Sequence, residues 1–166
     1  IVTEYNSTTG KPYRVSLPGY TGSTVKWAST LYYDTFGRIS SSTTPEGSTT
    51  VNYRLNKGLC EDSMVVKTPN GMTTITVWNA EGQVSEVITN GKSVRYTYTA
   101  GNRQKTAKPD GNNFTVQMEY DLQGNLTRQT DPDMGSIQYN YDGFGQLKWE
   151  KQSVRYSGNL VTTEYE

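Results

Sequence analysis

The chain has 166 residues, is only 33% hydrophobic, and sets sixteen Lys and Arg against sixteen Asp and Glu, with no His. Neutral charge without a basic cluster gives no electrostatic footprint for nucleic acid, and no apolar run approaches the roughly twenty residues of a membrane span. Without His, neither a Ser-His-Asp or Cys-His site nor a His/Cys zinc site can be built, and no catalytic, cofactor or metal site is assigned.

Leu, Ile, Val and Phe together fall below the level of about one-fifth at which disorder becomes plausible. Against disorder stand the neutral charge, thirteen Tyr and three Trp, which predict ordered β structure with an amphipathic aromatic face and a partly wet interior.

The chain begins Ile1-Val2-Thr3, with neither initiator Met nor signal peptide, which predicts a piece of a longer protein. An aromatic-led turn then recurs. Degenerate copies stand at Tyr5-Asn6 before Gly10, Tyr53-Arg54 before Gly58, and Tyr98-Thr99 before Gly101. The clear copies are Tyr33-Asp34-Thr35-Phe36-Gly37-Arg38-Ile39, Tyr120-Asp121-Leu122-Gln123-Gly124-Asn125-Leu126 and Tyr141-Asp142-Gly143-Phe144-Gly145-Gln146-Leu147, with Trp78-Asn79-Ala80-Glu81-Gly82-Gln83-Val84 as an aromatic/amide variant. The lead aromatics are 28, 20, 25, 20, 22 and 21 residues apart, which gives a unit near 21 with insertions in the first half. A weaker echo, Tyr156-Ser157-Gly158-Asn159-Leu160, suggests a further unit. Residues 1–166 thus read as one array, degenerate over 1–76, clearer over 77–150, with another repeat starting in 151–166.

A second turn lies midway in each unit, at Pro45-Glu46-Gly47, Pro69-Asn70-Gly71, Asn90-Gly91, Pro109-Asp110-Gly111 and Asp131-Pro132-Asp133-Met134-Gly135. Pro presets φ and Gly tolerates positive φ, so each unit is two strands and two turns, and seven units predict about fourteen antiparallel strands. Segments such as Val94-Arg95-Tyr96-Thr97-Tyr98 and Ile137-Gln138-Tyr139-Asn140-Tyr141 alternate apolar with polar, and no helical periodicity appears. On this reading Tyr96 with Tyr98, Tyr139 with Tyr141, and Leu147 with Trp149 share faces and build columns across a sheet. Each Asp accepts amides one or two residues on, and each Gly reverses the chain. An open sheet this wide must curl, and its two bare edges and apolar face need covering by self-association, by folding over, or by further repeats.

Tyr-Asp-x-x-Gly-(Arg/Asn/Gln)-(Leu/Ile), a tract ending in Pro-(Asp/Glu/Asn)-Gly, then Tyr-x-Tyr-Asp, resembles the YD repeat of the rearrangement hot spot (RHS) family, most clearly from Val77 to Trp149. The resemblance implies a β-ribbon spiralling into a hollow shell. In bacterial toxin proteins of this family the shell encloses a toxin, and in animal teneurins a similar shell belongs to a cell-surface adhesion receptor. Two departures stand out. The Tyr98 unit reads as one residue short and puts Arg103 at the aliphatic position, breaking the column. The family's autoproteolytic ending is absent, so no self-cleavage is assigned to Asp131-Pro132-Asp133.

Other candidates yield to the repeat. Ser23-x-x-Lys26 would need a helix to bring its ends together. Turn duty accounts for Asp34, Asp121 and Asp142 without a glycosidase role. Pro132 and a displaced Gly make Asp131-x-Asp133-x-Gly135 a turn rather than a calcium loop. Cys60 is an incidental thiol. Three sequons begin at Asn6, Asn113 and Asn125, as chance allows in an Asn- and Thr-rich chain. Trp78 stands in the Tyr position and Trp149 continues the Leu147 face; Trp27, outside the consensus, is the candidate ligand contact. The sequence therefore predicts a structural wall segment of a secreted or cell-surface protein that scaffolds or encapsulates an effector. Its partners are then neighbouring repeats of the parent chain and, through sheet edges or apolar face, copies of itself. The alternative is an extracellular adhesive module for glycans or a cell-surface protein.

Overall fold

The computed structural model describes residues 1–20, 22–56, 61–111, 114–153 and 160–164. It contains β1 (Thr3–Tyr5), β2 (Pro12–Ser16), β3 (Trp27–Tyr33), β4 (Ile39–Thr44), β5 (Gly47–Asn56), β6 (Glu61–Lys67), β7 (Thr73–Trp78), β8 (Val84–Thr89), β9 (Lys92–Tyr98), β10 (Gln104–Pro109), β11 (Val116–Tyr120), β12 (Leu126–Asp131), β13 (Gly135–Tyr141), β14 (Leu147–Ser153) and β15 (Leu160–Glu164). Fifteen strands, one more than the unit count suggests, follow one another in the sheet in chain order. No helix occurs among the described residues. The architecture is all-β and antiparallel, a succession of hairpins.

Two compact units make up the chain, one formed by 1–83 with 88–91 and the other by 84–87 with 92–166. In the first, β1 to β7 pair in succession. In the second, β9 to β15 do the same.

Odd-numbered strands deliver the lead aromatics: β1 ends on Tyr5, β3 on Tyr33, β7 on Trp78, β9 on Tyr98, β11 on Tyr120 and β13 on Tyr141. β5 is the exception. Tyr53 lies within it, opposite Met64, and pairing continues to Asn56 opposite Glu61. The Tyr53 copy therefore forms no aromatic-led turn, because three more residues of ladder follow the tyrosine; the tip of that hairpin, with Gly58 and Cys60, lies outside the described residues. So do Asn113 and the echo at 156–159. The long first interval comes from the β2–β3 connection, which Leu17 N closes by donating to the Lys26 carbonyl at 2.8 Å.

The register corrects one predicted face. Tyr141 opposes Leu147, but Asn140 opposes Trp149, with a register shift between them. Opposed residues share a face and successive residues alternate, so the bulged strand places Leu147 and Trp149 on opposite faces. The same shift falls between Tyr32 and Tyr33, opposite Ile39, and between Glu119 and Tyr120, opposite Leu126. The Tyr5, Tyr33, Tyr98, Tyr120 and Tyr141 units thus each carry a bulge that a strict two-residue period cannot anticipate, whereas the Tyr53 ladder runs without one.

No hydrophobic side chain among the described residues is buried; the only buried residues are Ser16 and Ser93. The aromatic columns are half-exposed, and stability rests on the ladder and on ties between successive repeats.

Candidate functional site

The recurrent turn has one geometry. After Tyr33, Asp34 N donates to the Arg38 carbonyl at 2.8 Å and Gly37 N to the Asp34 carbonyl at 2.9 Å. The same pair of bonds closes the turns beginning at Asn79, Asp121 and Asp142. The carboxylate then stitches the turn from outside. Asp34 Oδ1 accepts from Phe36 N at 2.9 Å and Arg38 N at 2.8 Å, and Asp142 Oδ1 from Phe144 N at 2.8 Å and Gln146 N at 2.9 Å. The amides captured are two and four residues on, a longer reach than the one or two of the sequence reading. Asn79 serves identically, accepting from Glu81 N and Gln83 N, whereas Asp121 takes Gly124 N and Asn125 N.

The polar residue after the glycine reaches back to this group. Arg38 Nε meets Asp34 Oδ2 at 2.8 Å, Asn125 Nδ2 meets Asp121 Oδ2 at 2.9 Å, and Asn79 Nδ2 donates to Gln83 Oε1 at 2.8 Å. Burial raises the Asp34 pKa, but the Arg38 and Phe36 amides and the Arg38 guanidinium outweigh it and hold the carboxyl below its usual value. For Asp121 the Asn125 side chain contributes most to lowering, helped by the amides of Asn125, Gly124 and Gln123 against a desolvation that raises it.

The Tyr98 unit is not short. Thr99 N donates to the Arg103 carbonyl and Asn102 N to the Thr99 carbonyl, and Asn102 has φ of 61°. Asn102 therefore holds the left-handed position that Gly holds elsewhere, which Asn tolerates, and Gln104 opposes Tyr98 where others place an aliphatic. Nor does Arg103 merely interrupt a column. Its guanidinium lies 5.9 Å from the Tyr120 ring centroid, and Nη2 is 3.5 Å from the Gln123 carbonyl in the next turn. Lys11 of the Tyr5 repeat does the same, over the Tyr33 ring and bonded to the Gly37 carbonyl. Arg38 lies 4.1 Å from the Tyr53 ring. A cation in the post-glycine position thus covers the lead aromatic of the following repeat.

The lead tyrosines tie in the opposite direction. Tyr98 donates its hydroxyl to the Val84 carbonyl at 2.7 Å, Tyr120 to Gln104 at 2.8 Å, and Tyr141 to Leu126 at 3.0 Å; Tyr33 reaches the Pro12 carbonyl at 2.6 Å. Each acceptor is the first residue of the strand that leaves the preceding turn. For Pro12, Gln104 and Leu126 this is also where the register shifts, so the hydroxyl serves a carbonyl where the regular ladder is interrupted. This tie escaped the sequence reading, although lead residues that are Tyr rather than Phe were its signal.

Of the tryptophans, Trp27 packs beside the Arg14 guanidinium, 5.4 Å from its ring, and Arg14 Nε is shielded from solvent without a hydrogen-bond partner. Trp149 carries Lys151 at 4.4 Å. Trp78 lines a cleft of about 940 Å³ bordered also by Phe36, Arg38, Tyr53, Leu55 and Asp62. Asp131 Oδ1 accepts from Asp133 N and Met134 N as a turn residue, and among the described residues no cluster of acidic or Cys side chains could hold a metal. Among the described residues no helix is long and apolar enough to cross a membrane.

Comparison with solved structures gives 34 matching chains, among them three toxin-complex structures. A TcdB2-TccC3-TEV crystal structure matches 99% of this chain with TM-score 0.72 and 13% identity. A TcdB2-TccC3-Cdc42 structure matches 88% with TM-score 0.64 and 16% identity. A Photorhabdus luminescens Tc holotoxin pore matches 89% with TM-score 0.64 and 15% identity. The chain spans about a tenth of those chains, 10%, 9% and 9% respectively. A search of curated proteins gives no match. Residues 120–159 match the RHS repeat family. Residues 120–159 thus match an RHS repeat, and the fold of the chain is that of part of the toxin-complex structures.

Proposed function

We propose that this chain is a non-catalytic wall segment of an RHS-type β-shell in a secreted or cell-surface parent, where it scaffolds or encapsulates an effector domain. The observation that carries this reading is the tyrosine tie, which recurs with one geometry at Tyr98, Tyr120 and Tyr141. Turn carboxylate and glycine close each turn, and post-glycine cation and tyrosine hold one repeat to the next, which leaves the repeated residues occupied by architecture. Deleting residues 99–141, two whole repeats that rejoin Tyr98 to Asp142, should shorten the wall without breaking its register. In the parent protein, protease protection of the downstream domain should fall. Unchanged protection would overturn encapsulation, and misfolding of the remaining repeats would overturn the modular wall.

A second reading, an extracellular adhesive module, is favoured by the Arg14 Nε that lacks a partner beside Trp27. A glycan or surface protein would bind across those two side chains. A glycan array and a cell-binding assay with Trp27→Ala as control test it, and binding that survives the substitution would count against this site.

A further inference from the structure

The cleft beside Trp78 lies where the array loses its rhythm. Because β5 runs past Tyr53 to Asn56, no aromatic-led turn stands among the described residues between the Tyr33 turn and the Trp78 turn. The cleft is bordered by the two flanking turns, through Phe36 and Arg38 on one side and Asn79, Ala80 and Gly82 on the other. Its floor is a row of directly opposed residues: Leu55 faces Asp62 across β5 and β6, and Asp62 faces Trp78 across β6 and β7. Opposed residues share a face, so an exposed carboxylate sits between an aliphatic and an indole.

Elsewhere the lead aromatic is covered by a cation from the repeat before it, Lys11 on Tyr33, Arg38 on Tyr53 and Arg103 on Tyr120. Before Tyr98 and Tyr141 the same position is a neutral amide, Gln83 and Asn125. Trp78, the strongest cation-binding ring of the set, receives no cation from the described residues, and among them the Asp62 side chain has neither ion pair nor hydrogen-bond partner. The other charges at the cleft are accounted for. Arg38 is ion-paired with Asp34 and stacked on Tyr53. Arg54 and Ser63 also border the cleft, but they oppose each other one position off the Leu55–Asp62–Trp78 row, so the Arg54 side chain alternates to the other face.

We propose that this cleft binds an arginine side chain of a partner polypeptide, with the guanidinium on the Trp78 ring and bonded to the Asp62 carboxylate, as Arg38 lies on Tyr53 while bonded to Asp34. A planar guanidinium can stack on the ring and donate to the carboxylate at once. The test is NMR of the full chain, following the Trp78 indole N–H at low ionic strength, where exposed charges are least screened. The probes are acetyl-Gly-Gly-Arg-Gly-Gly-amide, the same peptide with neutral citrulline for arginine, and guanidinium chloride. The arginine peptide should shift the Trp78 signal saturably, and Asp62→Asn should weaken it about tenfold, as expected for loss of a charge-assisted bond. Trp78→Tyr, which installs the repeat's own residue, keeps the fold and should retain weaker binding, read from the shifts of neighbouring amides. Equal affinity for the citrulline peptide, no effect of Asp62→Asn, or guanidinium chloride binding as tightly as the peptide would each overturn the assignment.

Discussion

A Cβ built on Gly124 would overlap the Arg103 guanidinium, and the residue has φ of 96°. Conformation and inter-repeat contact therefore both demand glycine there. Gly82 has φ of 77° with nothing near its Cβ position, so only the conformation does. Gly124→Ala should cost about 1–3 kcal/mol in denaturant unfolding and Gly82→Ala less, since a left-handed alanine costs about 1–2 kcal/mol. Arg103→Ala should shrink the Gly124→Ala effect, and strict additivity would show that the two do not touch. Acid stability is decided by Asp34 and Asp121. Their folded pKa values are depressed, so their contribution is present above the unfolded value of about 3.9 and is lost as pH falls through the folded pKa. Unfolding midpoints should therefore drop as pH is lowered below about 4, and Asp121→Asn should flatten that slope. Asn79, which fills the same place, shows that the amide is compatible with the turn.

At the scale of the hairpin, the tyrosine hydroxyl separates a repeat that is held from one that is only adjacent. The Thr68–Met72 turn makes this point. It has the same two backbone bonds as the aromatic-led turns, at 3.0 Å each, yet Lys67 stands where they have Tyr. Turn geometry is therefore common to both ends of the hairpins, and the tie belongs to the Tyr end. Tyr141→Phe should cost about 0.5–1.5 kcal/mol, the usual worth of one hydrogen bond, with faster hydrogen exchange in β12 and β13. No change in either would relegate the hydroxyl to a bystander. Burial raises the pKa of Tyr98 and Tyr141, with smaller contributions from Tyr96 and Asp121 respectively. A raised folded pKa gives stability that is full below the unfolded value of about 10 and lost as pH rises through the folded one, so alkaline unfolding should begin above about pH 10.

At the scale of the molecule, paired strands with no buried hydrophobic side chain among the described residues depend on nearest-neighbour terms, as in other repeat arrays. β1 and β15 each have one hydrogen-bonded neighbour and present an unpaired edge. Such edges recruit other strands. Sedimentation equilibrium of the isolated chain should show association that grows with concentration. A species that stays monomeric throughout would show that the edges are blunted by other means.

The all-β class, the repeat, the turn positions and the likeness to the RHS repeat over 120–159 were legible in the residues, because Tyr-Asp-x-x-Gly encodes its own turn within five positions and repetition multiplies the signal. Local chemistry of that range is what a sequence determines unaided. The register shifts beside Tyr33, Tyr120 and Tyr141, the opposite faces of Leu147 and Trp149, the full-length Tyr98 turn with Asn102 in the left-handed position, and the β5 ladder that carries Tyr53 past its turn were not. Each depends on which residue stands opposite on a neighbouring strand, and a one-residue change of register is invisible until that partner is placed. The same holds for the tyrosine tie and the Trp78 cleft, which join residues of successive repeats that only strand pairing brings together.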